Sequence, residues 1–113
     1  MPQYMLLIKG GTDSEISAEQ AQKIVEQYIA WARSLRDNGQ YIAGDELAPS
    51  GRIMTVQNGK IVDGPFTETK ESVGGYFIVE AKDYAEAVEI SKGCPTFQRE
   101  GVLEIREIVD HSG

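Results

Sequence analysis

The amino-acid sequence predicts an α+β domain, a ferredoxin-like sandwich with an inserted hairpin. Strand-length apolar runs and two helix-length amphipathic segments follow one another as β-α-β, hairpin, β-α-β. An Asn-Gly pair lies between two alternating runs, which is the strongest short-range signal for a hairpin. The 113 residues are the length of one ordinary domain with a core of its own, so we expect a single domain over residues 1–113.

The first two elements are a strand and a long helix. Gln3–Lys9 is apolar on both alternating faces, which is typical of a central strand that is covered on both sides. Ser17 begins the helix as its cap, with Gln20 as capping-box partner, and Asn38-Gly39 ends it. One stripe of this helix has helical spacing and is expected to face the core: Ala21, Ile24, Val25, Tyr28, Ala32 and Leu35.

The remaining elements complete the sandwich. Tyr41–Leu47 is a short strand, and Asn58-Gly59 turns the hairpin that follows it. Gly75–Ala81 is the next strand, after which Asp83 caps a second helix with a small-residue face. Val102–Val109 is the last strand. Both helices are expected on one side of a mostly antiparallel sheet.

The other face of this sheet mixes apolar and polar side chains. Because apolar surface of this extent rarely stays in water, a second copy of the chain is the simplest cover. We therefore expect a homodimer, with the polar residues in or beside a cavity between the subunits. Alternation places the following residues on this face: Tyr76, Ile78, Glu80, Val102, Glu104, Arg106 and Ile108.

Composition excludes several classes of function. The net charge is −7 and the basic residues are spread along the chain, so a nucleic-acid partner is not expected. Cys94 is the one cysteine, which rules out an intrachain disulfide. The apolar run near the N-terminus is too short for a signal peptide or a membrane span. We expect a cytoplasmic protein that does not associate with membranes.

One stretch carries a family resemblance. "DGPFTETKE" (Asp63–Glu71) runs on into "SVGGYFIVEAKDYAEAVEISKGCP", and "VLEIREI" follows. Together with "YMLLI" and "GDELAP" nearer the N-terminus, these segments strongly resemble the DGPF (DGPFAETKE) group of the YCII-related family. The resemblance covers almost the whole chain.

This resemblance implies a ferredoxin-like unit that pairs sheet to sheet into a dimeric α/β barrel. Related barrels include monooxygenases and lactone isomerases, and some DGPF members are thought to act beside alternative sigma factors. YCII-type relatives often have a histidine in the first helix, as half of a His-Asp pair. That position is close to Tyr28 here, and His111 is the only histidine of the chain, so a histidine general base is not carried over.

The catalytic candidates are two acids, Asp45 and Asp63. Asp45 stands at the acidic position that the resemblance implies, and its structural alternative is to terminate a strand. Asp63 is expected to face the cavity between subunits as an acid or polar anchor. The alternative is that Asp63 hydrogen-bonds backbone amides in the Gly64-Pro65 turn.

The ligand-binding candidates are four charged residues and one tyrosine. Arg106 is the strongest of them, because guanidinium geometry suits a carboxylate or phosphate; a purely structural ion pair with Glu104, Asp63 or Asp45 is the alternative. Tyr76 is expected to donate a hydrogen bond into the cavity or to pack in the interface. The loop residues Glu68 and Lys70 recognise a polar ligand or form a solvated surface. Glu104 completes this set.

Two hypotheses about function remain open at the level of sequence. The first is a homodimer that binds a small anionic metabolite between its subunits, with or without acid–base chemistry. The second is a regulatory or accessory binding module without chemistry, beside a sigma factor for example. No cofactor and no metal site are predicted, since one histidine, one cysteine and scattered acids lack ligand spacing. Cys94 has no neighbouring histidine to activate it and is expected to be inert.

Overall fold

The structure, a computed structural model, describes residues 1–10, 16–48, 51–64 and 73–112. These residues form strands, two α-helices and a short 3-10 helix. In chain order they are β1 (Gln3–Lys9), α1 (Ala18–Asp37), β2 (Tyr41–Glu46), β3 (Met54–Gln57), β4 (Lys60–Asp63), β5 (Val73–Glu80), α2 (Tyr84–Ser91), the 3-10 helix (Pro95–Arg99) and β6 (Val102–Glu107).

Four strands form one antiparallel sheet in the order β2-β5-β1-β6, and β3 pairs with β4 in a separate two-stranded sheet. Without the hairpin, this is the strand order of a ferredoxin-like domain. The predicted α+β class and the inserted hairpin are confirmed. Closure of a barrel requires a second copy of the chain, and it stays a prediction.

Local signals explain where most elements begin and end. The Ser17 side chain accepts from the Gln20 amide, and the Gln20 side chain accepts from the Ser17 amide, so the predicted capping box is present. Asn58 and Gly59 have φ angles of 51° and 78°, as a two-residue hairpin turn requires. Four strand bounds differ from prediction: β2 ends at Glu46, β5 begins two residues earlier at Val73 and ends at Glu80, and β6 ends at Glu107.

The core lies between the two helices and one face of the four-stranded sheet. Leu6 and Val79 are fully buried on adjacent strands, and Phe77 packs against Trp31 of α1 with ring centroids 4.7 Å apart. Tyr4 makes an edge contact with Tyr84 of α2 at 4.8 Å. The remaining buried hydrophobic residues of this cluster are Ile8, Leu35, Ala81, Ala87 and Cys94.

Helix α1 covers the sheet closely only along its C-terminal half. Leu35 is the buried member of the predicted stripe, whereas Ile24 and Tyr28 are half-buried and Val25 is exposed. The N-terminal half of the helix therefore leaves a cleft between itself and the sheet. Periodicity correctly predicted which side of α1 faces inward, but the inward side meets a cleft over half its length.

The hairpin β3–β4 stands apart from this sandwich. Its strands pack against each other and make no extensive contact with any other helix or strand among the described residues. The Cα radius of gyration is 16.1 Å, against about 13 Å for a compact chain of this length. We call residues 52–63 the hairpin arm. In the described ranges, no helix is long and apolar enough to cross a membrane.

Candidate functional site

A cleft lies beside α1. Its volume is about 1010 Å³, and it opens between α1 and the ends of strands β1, β2 and β5. Its size is at the upper end of the range for small-molecule sites. One wall is apolar and is made of Ile24, Val25, Ile29, Ala32 and Phe77.

The polar end of the cleft combines one residue of α1 with the 3-10 helix. Tyr28, Thr96 and Arg99 line it together. The Thr96 hydroxyl hydrogen-bonds to Tyr28, and the Cys94 Sγ donates a weak bond of 3.9 Å to the Tyr28 hydroxyl. Gly101 lets the chain pass close to Thr96, because a Cβ there would overlap the Thr96 side chain and the Gly10 carbonyl. The arrangement offers a ligand the Tyr28 phenol and the Arg99 guanidinium beside an apolar wall, whereas the buried Thr96 hydroxyl is taken up by its bond to Tyr28.

Burial controls the protonation of this end. Burial, and then the neighbouring Cys94, raise the pKa of the Tyr28 phenol far above its usual value, although Thr96 and Arg99 act in the opposite direction. Burial also raises the pKa of the Cys94 thiol. Tyr28 is therefore a neutral hydrogen-bond donor, and Cys94 is a protonated thiol, which agrees with the prediction that it is inert.

Two of the predicted site residues lie together at the rim of the cleft. The Tyr76 hydroxyl donates to Asp45 Oδ2 at 3.0 Å, and both residues line the cleft. Their strands place them side by side, since Asp45 is the cross-strand partner of Tyr76. The hydrogen bond to Asp45 raises the pKa of Tyr76, so this phenol also remains protonated.

A second predicted pair lies on the uncovered sheet face. Arg106 Nη1 is 3.2 Å from Glu104 Oε2, and Lys9 Nζ is 2.7 Å from Glu104 Oε1. The hydrogen bonds from Lys9 and Arg106 lower the pKa of Glu104. The expected acid partner of Arg106 is thus Glu104. In the single chain, however, the Arg106 side chain is 70% exposed, so its predicted shielding depends on a second subunit.

These two groups stand in one row across the sheet. Strand register aligns Asp45 with Tyr76, Tyr76 with Leu7, and Leu7 with Glu104. The two ends of the row are roughly 14 Å apart, because neighbouring strands are about 4.8 Å apart. Asp45 and Glu104 therefore do not form one compact site. They flank an apolar centre that also contains Met5 and Ile78.

Asp63 is not brought to either group. It ends β4 and pairs with Arg52, with Nη1 3.6 Å from Oδ2, and it is not among the described residues that line the cleft. The described contacts of Asp63 do not include Asp45, and the catalytic roles of both acids stay predictions. Glu68 and Lys70 lie outside the described residues, so their predicted roles remain predictions. Within the described ranges, no group of three or more potential metal ligands occurs.

The sequence predicts neither the polar end of the cleft nor the pairing of Lys9 with Glu104. It places Tyr28 in the core stripe and gives Thr96 and Arg99 no role in a site. Tyr28 carried one usable signal, its place near the histidine of YCII-type relatives. Thr96 and Arg99 lie in the 3-10 helix that Pro95 begins, and the local sequence does not reveal that this helix packs against α1.

The fold and the cleft define a ferredoxin-like α+β protein with a ligand-sized concavity beside its first helix. The family model of the YCII-related domain matches residues 2–112, and the chain therefore belongs to the YCII-related family. No curated protein matches the sequence.

Proposed function

We propose that this YCII-related protein binds a small anionic metabolite with an apolar body in the cleft beside α1. One observation carries the proposal: the Tyr28 phenol, with Thr96 and Arg99 close to it, lines a cleft whose α1 wall is apolar. The Arg99 guanidinium suits a carboxylate, and the neutral Tyr28 phenol can donate a hydrogen bond to one of its oxygens. The apolar wall would hold the remainder of the ligand.

The protonation states favour binding over proton abstraction. A general base must accept a proton, whereas the phenols of Tyr28 and Tyr76 both have raised pKa values and act as donors. An accessory binding module without chemistry is therefore the second candidate function. A ligand that binds without being converted, as followed by mass spectrometry, would select this candidate over an enzyme.

We further propose that the protein is a homodimer through the uncovered sheet face. Met5, Leu7 and Ile78 form an apolar centre on this face, and among the described residues no helix covers it. Tyr76 and Asp45 belong both to this face and to the rim of the cleft. A second copy over the face would thus border the cleft, which joins the dimer to the site.

A thermal-shift screen tests the ligand proposal. Aromatic and aliphatic carboxylates would be compared with their neutral amides, so that each pair differs mainly in charge. At a hundred times its dissociation constant, a ligand stabilises a protein by about 2.7 kcal/mol. We expect carboxylates to raise Tm and their amides to have little effect.

Two variants locate the site. Arg99→Met should remove the rise in Tm that carboxylates cause. Arg33→Met should retain it, because Arg33 is an exposed arginine of α1 that does not line the cleft. Each variant is compared with its own ligand-free Tm, which separates binding from any loss of stability. Equal shifts for acids and amides, or an unchanged shift in Arg99→Met, would contradict the proposed site.

A further inference from the structure

Several large aliphatic side chains that line the cleft beside α1 are exposed to water. Ile16, Val25, Ile29 and Leu47 all line the cleft, and each of them is at least 40% exposed. They come from the segment before α1, from α1 itself and from the segment after β2. Exposed apolar side chains that are scattered singly need no explanation, whereas a group around one concavity marks a binding surface.

Helix α1 makes this apolar surface long. Val25, Ile29 and Ala32 follow one another about a turn apart on the helix, and all three line the cleft. With a rise of about 1.5 Å per residue, the wall from Val25 to Ala32 is roughly 10 Å long. A wall of this length can contact an extended chain along its whole course.

Leu47 lies on the far side of the cleft from the polar end. Thr96 is close to the Gly10 carbonyl beyond β1, since a Cβ on Gly101 would overlap both. Leu47 follows β2, which is two strands away from β1 in the sheet. Two strand spacings amount to about 10 Å. A ligand that is bound at the polar end must therefore extend across the cleft to reach Leu47.

We propose that the ligand is a carboxylic acid with a flexible aliphatic chain. The inference rests on the proposed function and names the ligand class of the same site. The carboxylate would lie near the Arg99 guanidinium, to which it is complementary in charge, and the chain would cover the exposed aliphatic side chains. A short or compact acid would leave much of a cleft of about 1010 Å³ in contact with water.

A chain-length series tests this ligand class. Calorimetric titration of the wild type with butanoate, hexanoate, octanoate and decanoate, each below its micellar concentration, would give Kd and stoichiometry. Each methylene that becomes buried should tighten binding about fourfold, until the chain extends beyond the cleft. Octanamide, which lacks the charge, and benzoate, which lacks the flexible chain, should both bind more weakly than octanoate.

Two valines of similar exposure provide matched variants. Val25 of α1 lines the cleft and is 41% exposed, whereas Val88 of α2 does not line it and is 43% exposed. Val25→Thr exchanges one methyl group for a hydroxyl and should weaken octanoate binding about fourfold, with a smaller effect on butanoate. Val88→Thr should bind both acids as the wild type does.

The outcomes separate this inference from the proposed function. If neither the alkanoates nor benzoate bind the wild type, the proposed function fails and the aliphatic ligand with it. One-to-one binding that is no tighter for octanoate than for butanoate or benzoate would leave the anion site in place and overturn the aliphatic ligand alone. Octanoate that binds in several copies per chain, or equally well to the wild type and Val25→Thr, would also overturn it, because the chain would then not lie along α1.

Discussion

The two faces of the four-stranded sheet come from alternate residues of the same strands, yet they differ in what lies against them. On the helix-covered face, Tyr4, Leu6 and Ile8 of β1 are buried. On the uncovered face, Met5 and Leu7 of the same strand are half-buried. Both faces of β1 are apolar, but among the described residues only the covered face packs against helices.

This difference shows that a strand face can be apolar without being packed into the core of its own chain. The covered face is closed by aromatic contacts, such as Trp31 with Phe77. The uncovered face instead holds the Glu104 ion pairs and the Tyr76–Asp45 hydrogen bond beside its apolar centre. Such a mixture is typical of a protein interface, where an apolar core is surrounded by polar groups. The predictions below test whether a second subunit completes this face.

The largest effect is expected from adjacent leucines on the two faces. Leu6 is fully buried, and Leu6→Ala should lower the free energy of unfolding by about 2–5 kcal/mol, as for other cavity-forming core substitutions. Leu7→Ala, made one residue further along on the other face, should have a clearly smaller effect in dilute protein. Urea denaturation at low micromolar concentration would measure both.

Measuring both leucine variants at several protein concentrations separates the two sheet faces further. If the uncovered face is the dimer interface, the cost of Leu7→Ala should grow as the protein concentration rises, because the truncated side chain then weakens association as well. The cost of Leu6→Ala should not change in this way. A Leu7→Ala effect that is independent of concentration would contradict the proposed dimer face.

The arginine at the end of this face should show an intermediate effect. Arg106→Met removes one of two cations from Glu104, and Lys9 remains. In the dilute monomer the change should be small, since exposed ion pairs contribute little to stability. In a dimer that covers this face, dissociation should become roughly tenfold easier, because the pair is then shielded from water. Sedimentation velocity measures this, with Arg33→Met as an exposed control.

These comparisons also show which parts of the molecule the sequence could predict. The helix caps at Ser17 and Asp83 and the turn at Asn58-Gly59 depend on a few neighbouring residues, and the structure contains all of them. Alternation correctly separated Phe77 and Val79 from their neighbours on the other face. The fold was predictable because these signals are local.

The candidate site was less predictable because it depends on contacts that are distant in sequence. Tyr28 meets Cys94 only after the chain has passed through most of the fold. Helical periodicity cannot distinguish a stripe that reaches the core, such as Leu35, from one that lines a cleft, such as Ile24. For Arg106, alternation predicted the correct face, but the side chain is 70% exposed in the single chain, and its predicted shielding would require a second chain that the local pattern does not contain.

The smallest effect is expected from the charge of Glu104. Hydrogen bonds from Lys9 and Arg106 lower the pKa of this carboxyl in the folded chain. A carboxyl with a depressed folded pKa stabilises the folded state above its unfolded pKa, about 4.3 for glutamate, and loses that contribution as the pH falls through the folded value. Glu104→Gln should therefore lower Tm slightly at pH 7, and the difference in Tm from the wild type should shrink below about pH 4.

Glu107→Gln is the control, because Glu107 is an exposed acid of the same strand. Thermal melts of both variants in low salt would cover about pH 3 to about pH 7, a range that brackets the ordinary glutamate pKa of about 4.3. A Glu104→Gln difference that stays constant, or that grows toward acid pH, would show that Lys9 and Arg106 do not stabilise the uncovered face through the charge of Glu104.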